Sequence, residues 1–262
     1  MDGARYRYLE GTVDHVENCH ALNVEIVRFS SVMATLAPGH EVTTCPGWTV
    51  LDLAEHLGVI HRWAEELVRL RSPVRLPRDA PTSLRDDVNP EWITEGGDRL
   101  CATLLAANPD DEMWAWGLDQ HVRFWSRRQL HETLVHRMDL ELAAEIEPRA
   151  DSIIAIDAVD EYLSNLEKVA KHSPELSLLR GHGERLAFRV SDGDSDELWT
   201  ITLSDEGFNV SRSEGNFDAE LVGAPVDVLL TILRRRGLDN GNVKVRGDRR
   251  LIDFWLMHSA FD

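Results

Sequence analysis

The chain has 262 residues, 43% hydrophobic and 28% charged, an ordinary globular composition with room for one large domain or two small ones. Its 46 acidic and 28 basic residues leave a net charge of −18, a surface that repels phosphate backbones and anionic lipid, so neither nucleic acid nor a membrane is expected as a partner. Cys19, Cys45 and Cys101 form no C-x-x-C pair, the opening MDGARYRYLEG has no apolar run of signal-peptide type, and no stretch approaches about 20 apolar residues, so a reduced, cytoplasmic protein is expected.

From about Val13 to Leu36, the residues Leu22, Ile26, Phe29, Met33 and Leu36 recur at helical spacing, and Pro38-Gly39 ends the helix. Thr49, with Asp52 three residues later, resembles a capping box opening a second helix over Val50 to Leu70. Leu53, Leu57, Ile60, Ala64 and Leu67 form its buried stripe, and His56 borders that stripe. A lone histidine there is more commonly a core residue than a ligand. Residues 72–90 carry Pro73, Pro77, Pro81 and Pro90, a broken connection of the kind that edges a binding site or crosses the end of a bundle. Glu91 to Ala107 reads as a third helix.

A fourth helix follows Trp114-Ala115-Trp116 and runs from about Phe124 to Glu145 without Pro or Gly. Glu132 and His136 are i and i+4, so they project from one face, with Trp125 and Gln129 roughly on it. A carboxylate and an imidazole stacked in this way can share one divalent cation. On spacing alone, an exposed ion pair is the commoner meaning. His131 is not an additional member, because it lies five residues and roughly 140° from His136. The H-E-x-x-H pattern of zinc proteases is therefore absent.

Glu147-Pro148-Arg149 marks a boundary, and Ser152 to Lys171 is helical. The period then changes to two, giving short strands over 186–190, 198–203, 208–210 and 219–222. Pro225 introduces a helix over Val226 to Arg236, and a strand over 241–247 and a helix from Leu251 to His258 close the chain. The expected fold class is α+β: a four-helix bundle over residues 1–148, then a small α+β domain over 149–262.

Two segments together carry a family likeness. Thr44 to Gly58, TCPGWTVLDLAEHLG, and Trp125 to Glu141, WSRRQLHETLVHRMDLE, resemble helices of the mycothiol-dependent maleylpyruvate isomerase family. The resemblance spans almost the whole chain and implies a DinB-like bundle followed by a sterol-carrier-like domain. It implies a metal, usually zinc but possible as another divalent ion, held by His56, Glu132 and His136. Three protein ligands leave one coordination position open, as in catalytic zinc sites. It also implies mycothiol as thiol cosubstrate, whose thiolate adds to the double bond of a small, acidic substrate. A mycothiol S-transferase or thiol-exchange enzyme would use the same pair, and a non-catalytic small-molecule-binding or regulatory protein is the alternative of a different class. Either a monomer or a small homo-oligomer fits.

Around that set, Met138 stands where the family often has Trp, a position of substrate contact. Asp139 is a candidate to orient a ligand. Arg127, Arg128 and Arg137 could hold a substrate carboxylate or simply pair with the many acids, and Trp125 could line a pocket. Cys45 is read as structural. In the C-terminal part, Arg234-Arg235-Arg236 is read as serving a helix C-terminus. Arg246, at the end of the last strand, is expected to reach an acidic substrate across a domain cleft.

Overall fold

The structure is a computed structural model, and it describes residues 14–78, 88–191, 193 and 196–259. The opening MDGARYRYLEG and the middle of the proline-rich connection, including Pro81, lie outside the described residues.

Local signals set the helix starts. Helix α1 (His15–Met33) begins at a reciprocal capping box between Asp14 and Glu17. Helix α2 (Val50–Leu70) begins at the expected one between Thr49 and Asp52. Helix α3 (Pro90–Ala106) has Asn89 as its cap and Pro90 in its first turn, where a missing N–H costs nothing. Helices α1 and α2 each pack against both α3 and α4 (Val122–Ala143). Leu22, Ile26, Phe29, Leu53, Leu57, Ile93 and Trp125 belong to the apolar cluster they enclose. Among the described residues no helix is long and apolar enough to cross a membrane.

Helix α4 is enclosed on most of its circumference, which explains why its sequence shows no clean apolar stripe. Gln129, His131, Thr133, His136, Arg137, Asp139 and Glu141 are all buried in it. Buried charges persist only when paired. Arg137 is clamped between Glu25 of α1 and Glu141. Arg127 pairs with Asp157 and Asp160 of α5 (Ser152–Ala170), and Arg128 with Glu161. His131 points the same way, its Nδ1 at 2.8 Å from Glu161, so the 140° offset from His136 holds. Burial would lower the His131 pKa, but Asp157 and Glu161 raise it.

The second apolar cluster lies behind α4. It takes Leu134 and Met138 from α4, together with residues of α5, the sheet and the last two helices. The five-stranded sheet has the order β3-β2-β1-β4-β5, with β1 (Arg185–Ser191), β2 (Asp196–Ser204), β3 (Gly207–Ser211), β4 (Ala219–Gly223) and β5 (Val243–Gly247). Only β1 and β4 pair in parallel; the other neighbours are antiparallel. Helix α6 (Pro225–Ile232) follows β4 and helix α7 (Arg249–His258) follows β5. The fold is thus α+β. We propose a domain division near residue 148, with α4 contributing to both cores.

Two C-terminal expectations change. Helix α6 ends at Ile232, not Arg236. Arg234 takes a left-handed φ of 60°, its N–H bonds Thr231 and that of Arg235 bonds Leu230, the pattern of a Schellman cap with arginine in glycine's usual place. Arg246 does not face α4. Val243 and Val245 pack into the second cluster, so strand alternation turns Lys244 and Arg246 to the opposite face. There the Arg246 side chain is 66% exposed and pairs with Glu220 at 3.0 Å.

Candidate metal centre

The centre is built where α2 crosses α4. The loop before α2 makes a turn in which the Trp48 N–H bonds the Cys45 carbonyl, with Pro46 and then Gly47 at φ 83° between them. That is the residue order of a type II turn, and only glycine takes the second central position easily. The turn delivers Cys45 and Trp48 to the mouth of the α2–α4 crossing. Two turns into α2, His56 packs its ring against Trp48, with centroids 5.0 Å apart.

Glu132 Oε1 lies 3.3 Å from His56 Nε2 and 3.3 Å from His136 Nε2. All three donor atoms fall within 4.8 Å of one another. Donors at about 2.0–2.1 Å from a tetrahedral ion are separated by about 3.4 Å, so both Glu132–imidazole separations fit one zinc-sized cation. The donor set, two imidazoles and a carboxylate, suits zinc and other divalent transition metals.

The supporting groups point the donors inward. His136 Nδ1 donates to Asp139 Oδ2 at 3.0 Å, leaving Nε2 for the centre. Arg128 donates to the second oxygen of Glu132, so Oε1 is the free one. Asp139 is fully buried and receives Arg235 at 3.1 Å on Oδ1 and 3.3 Å on Oδ2. Cys45 Sγ also reaches Asp139 Oδ2, at 3.5 Å. Cys45, His136 and Asp139 form another close donor group, but Arg235 already occupies that carboxylate with a positive charge.

The electrostatics match a cation-binding pocket. Burial would raise the Glu132 pKa, yet Arg128 and the two histidines hold it well below the ordinary carboxylate range. Burial would lower the His136 pKa, yet Asp139, Cys45 and Glu132 drive it well above the usual value. Asp139 is likewise depressed by His136 and Arg235 against the opposing effect of burial. Metal binding here is coupled to proton release, because an imidazole holds a cation only as the neutral base. His61, five residues beyond His56, is a contrast. It is fully buried against Thr133 at 2.9 Å, and burial lowers its pKa to about 3.

The structure thus brings together His56, Glu132, His136, Asp139 and Arg128. It places Trp125 elsewhere: fully buried, stacked edge-on to Trp63 and bonded to the Trp114 carbonyl. Met138 is fully buried in the second cluster. Sequence reasoning missed Arg235, and it treated Cys45 as remote from the chemistry.

A helical N-terminal part that converges two imidazoles and a carboxylate, backed by an α+β part, defines the class. Residues 20–141 match the family described as the mycothiol maleylpyruvate isomerase N-terminal domain. The fold is shared with two solved structures. A crystal structure of the mycothiol-dependent maleylpyruvate isomerase aligns over 87% of this chain and 91% of that one, at 15% identity and a TM-score of 0.52. A histidine-to-alanine mutant of the mycothiol-dependent maleylpyruvate isomerase aligns over the same shares, at 14% identity and a TM-score of 0.53. No curated protein matches the chain.

Proposed function

We propose that the chain is a metal- and mycothiol-dependent enzyme of the maleylpyruvate isomerase type, acting on a small, acidic substrate in the cytoplasm. The observation that carries this reading is the convergence of His56, Glu132 and His136, with Glu132 Oε1 at 3.3 Å from each imidazole Nε2 and all three donor atoms within 4.8 Å of one another. The family match over residues 20–141 supports it. Zinc or another divalent ion held there would supply a Lewis acid and keep a thiol deprotonated at neutral pH.

The chain's own residues prepare that chemistry. Asp139 fixes the tautomer of His136, and Arg235 fixes Asp139. Arg128 restricts Glu132 to one donor oxygen. Trp48 limits rotation of the His56 ring. Three protein donors leave room for a fourth, exogenous one, the position we assign to the thiol. The reaction class is addition of a thiolate to an activated double bond, rotation about the resulting single bond, and loss of the thiolate.

Titrating mycothiol into cobalt-substituted protein tests this reading. A sulfur-to-cobalt charge-transfer band that saturates with one thiol per chain is expected. No band and no measurable affinity would favour a non-catalytic binding protein instead.

A further inference from the structure

Beside His56 the chain leaves a cavity of about 450 Å³, walled by Gly47, Trp48, Asp52, His56, Ile60 and Arg78 among others. That volume suits a small molecule. Its walls are unequal in charge. Glu55 and Asp52 bring negative charge along α2. The Asp52 carboxylate is already taken up by the Thr49 N–H and hydroxyl, at 2.9 and 2.6 Å. Arg78 brings the positive charge, from the chain that leaves α2.

Arg78 differs from the other arginines of this region. Arg127, Arg128, Arg137 and Arg235 are each committed to protein carboxylates. Arg78 lies on the face of Trp63, its guanidinium carbon 4.6 Å from a ring centroid, and no carboxylate of the described residues pairs with it. Ring contact of this kind orients the guanidinium plane and leaves its N–H edge available. Arg78 shares one cavity with His56, a donor of the candidate metal centre.

We propose that Arg78 determines substrate specificity by binding the carboxylate of an acidic substrate in this cavity. The inference rests on the proposed function for the class of substrate. Asp52 and Glu55 also line the cavity, and their negative charge disfavours an anion beside them. The anionic end is therefore fixed beside Arg78, and the remainder of the molecule is directed along Trp48 and Ile60 toward His56. A guanidinium can grip a carboxylate with two parallel hydrogen bonds, which an ammonium cannot reproduce.

The test is calorimetric titration of the zinc-treated full chain with maleate, a small cis-dicarboxylate, and with its neutral diamide. Arg78→Gln is expected to weaken maleate binding about tenfold or more, and Arg78→Lys to fall between. Affinity for the diamide should be the same in all three proteins, and zinc content unchanged. Equal maleate affinity in wild type and Arg78→Gln would overturn the proposal, as would a wild-type chain that binds no maleate. Failure of the metal reading looks different: the wild type would take up no zinc, while the effect of Arg78→Gln on maleate would still be read on the same protein.

Discussion

His136→Ala is expected to reduce zinc binding by a factor on the order of a thousand or more. Loss of a hydrogen-bond partner behind a metal ligand already costs about 10–100-fold in affinity. Removing the ligand itself removes a coordinate bond and leaves two donors, His56 and Glu132, from different helices. The variant should still fold, because Arg235 continues to satisfy Asp139 from its other side. Asp139→Asn is expected to fall in the 10–100-fold range, since it leaves all three donors but releases the His136 ring. Elemental analysis after dialysis against micromolar zinc checks both. Equal metal content in wild type and His136→Ala would remove His136 from the centre.

Arg137→Ala should cost about 3–5 kcal/mol of stability, a large share of the 5–15 kcal/mol typical of a folded domain. Arg137 is fully buried, and Glu25 and Glu141 are 4% and 6% exposed. Its removal leaves two carboxylates facing each other across α1 and α4 with only Arg28, at the edge, still near both. Breaking a buried pair on one side is far costlier than replacing both sides. Urea unfolding measures the loss. A change below about 1 kcal/mol would mean that solvent already reaches these charges. Zinc content of the folded variant should stay at the wild-type level, because Arg137 lies on the α1 side of α4 and makes no contact with the donor set.

Much of the fold was legible because its signals are local. The Thr49–Asp52 box and the apolar stripe behind it place α2 within the residues read from the sequence. The change to period two announces the sheet. The Glu132–His136 pair follows from helix geometry, but His56 joins it only because α2 crosses α4, a long-range fact that the family likeness supplied.

The misreadings have physical causes. Arg246 was assigned to a cleft although Val243 and Val245 already fix the parity of β5, so that signal was present and unused. Arg235 was hidden by a helix that ends early without a glycine, at Arg234 in the left-handed region. Its partner Asp139 lies 96 residues away. Cys45 was read as structural, while the group it touches, Asp139, is 94 residues distant. Trp125 shares the helix face of Glu132 in projection, but rings from the α2 and 114–125 segments close over it.

X-ray absorption at the zinc edge, on the zinc-loaded chain with and without mycothiol, is the most direct measurement of the centre. The geometry of His56, Glu132 and His136 calls for two imidazole nitrogens and oxygen donors at about 2.0–2.2 Å, with no sulfur in the resting protein. Adding mycothiol should bring in one sulfur at about 2.3 Å. Sulfur already present in the resting spectrum would make Cys45 a ligand, and a spectrum unchanged by mycothiol would separate the metal from the thiol; either result contradicts a zinc centre built to take up an external thiol.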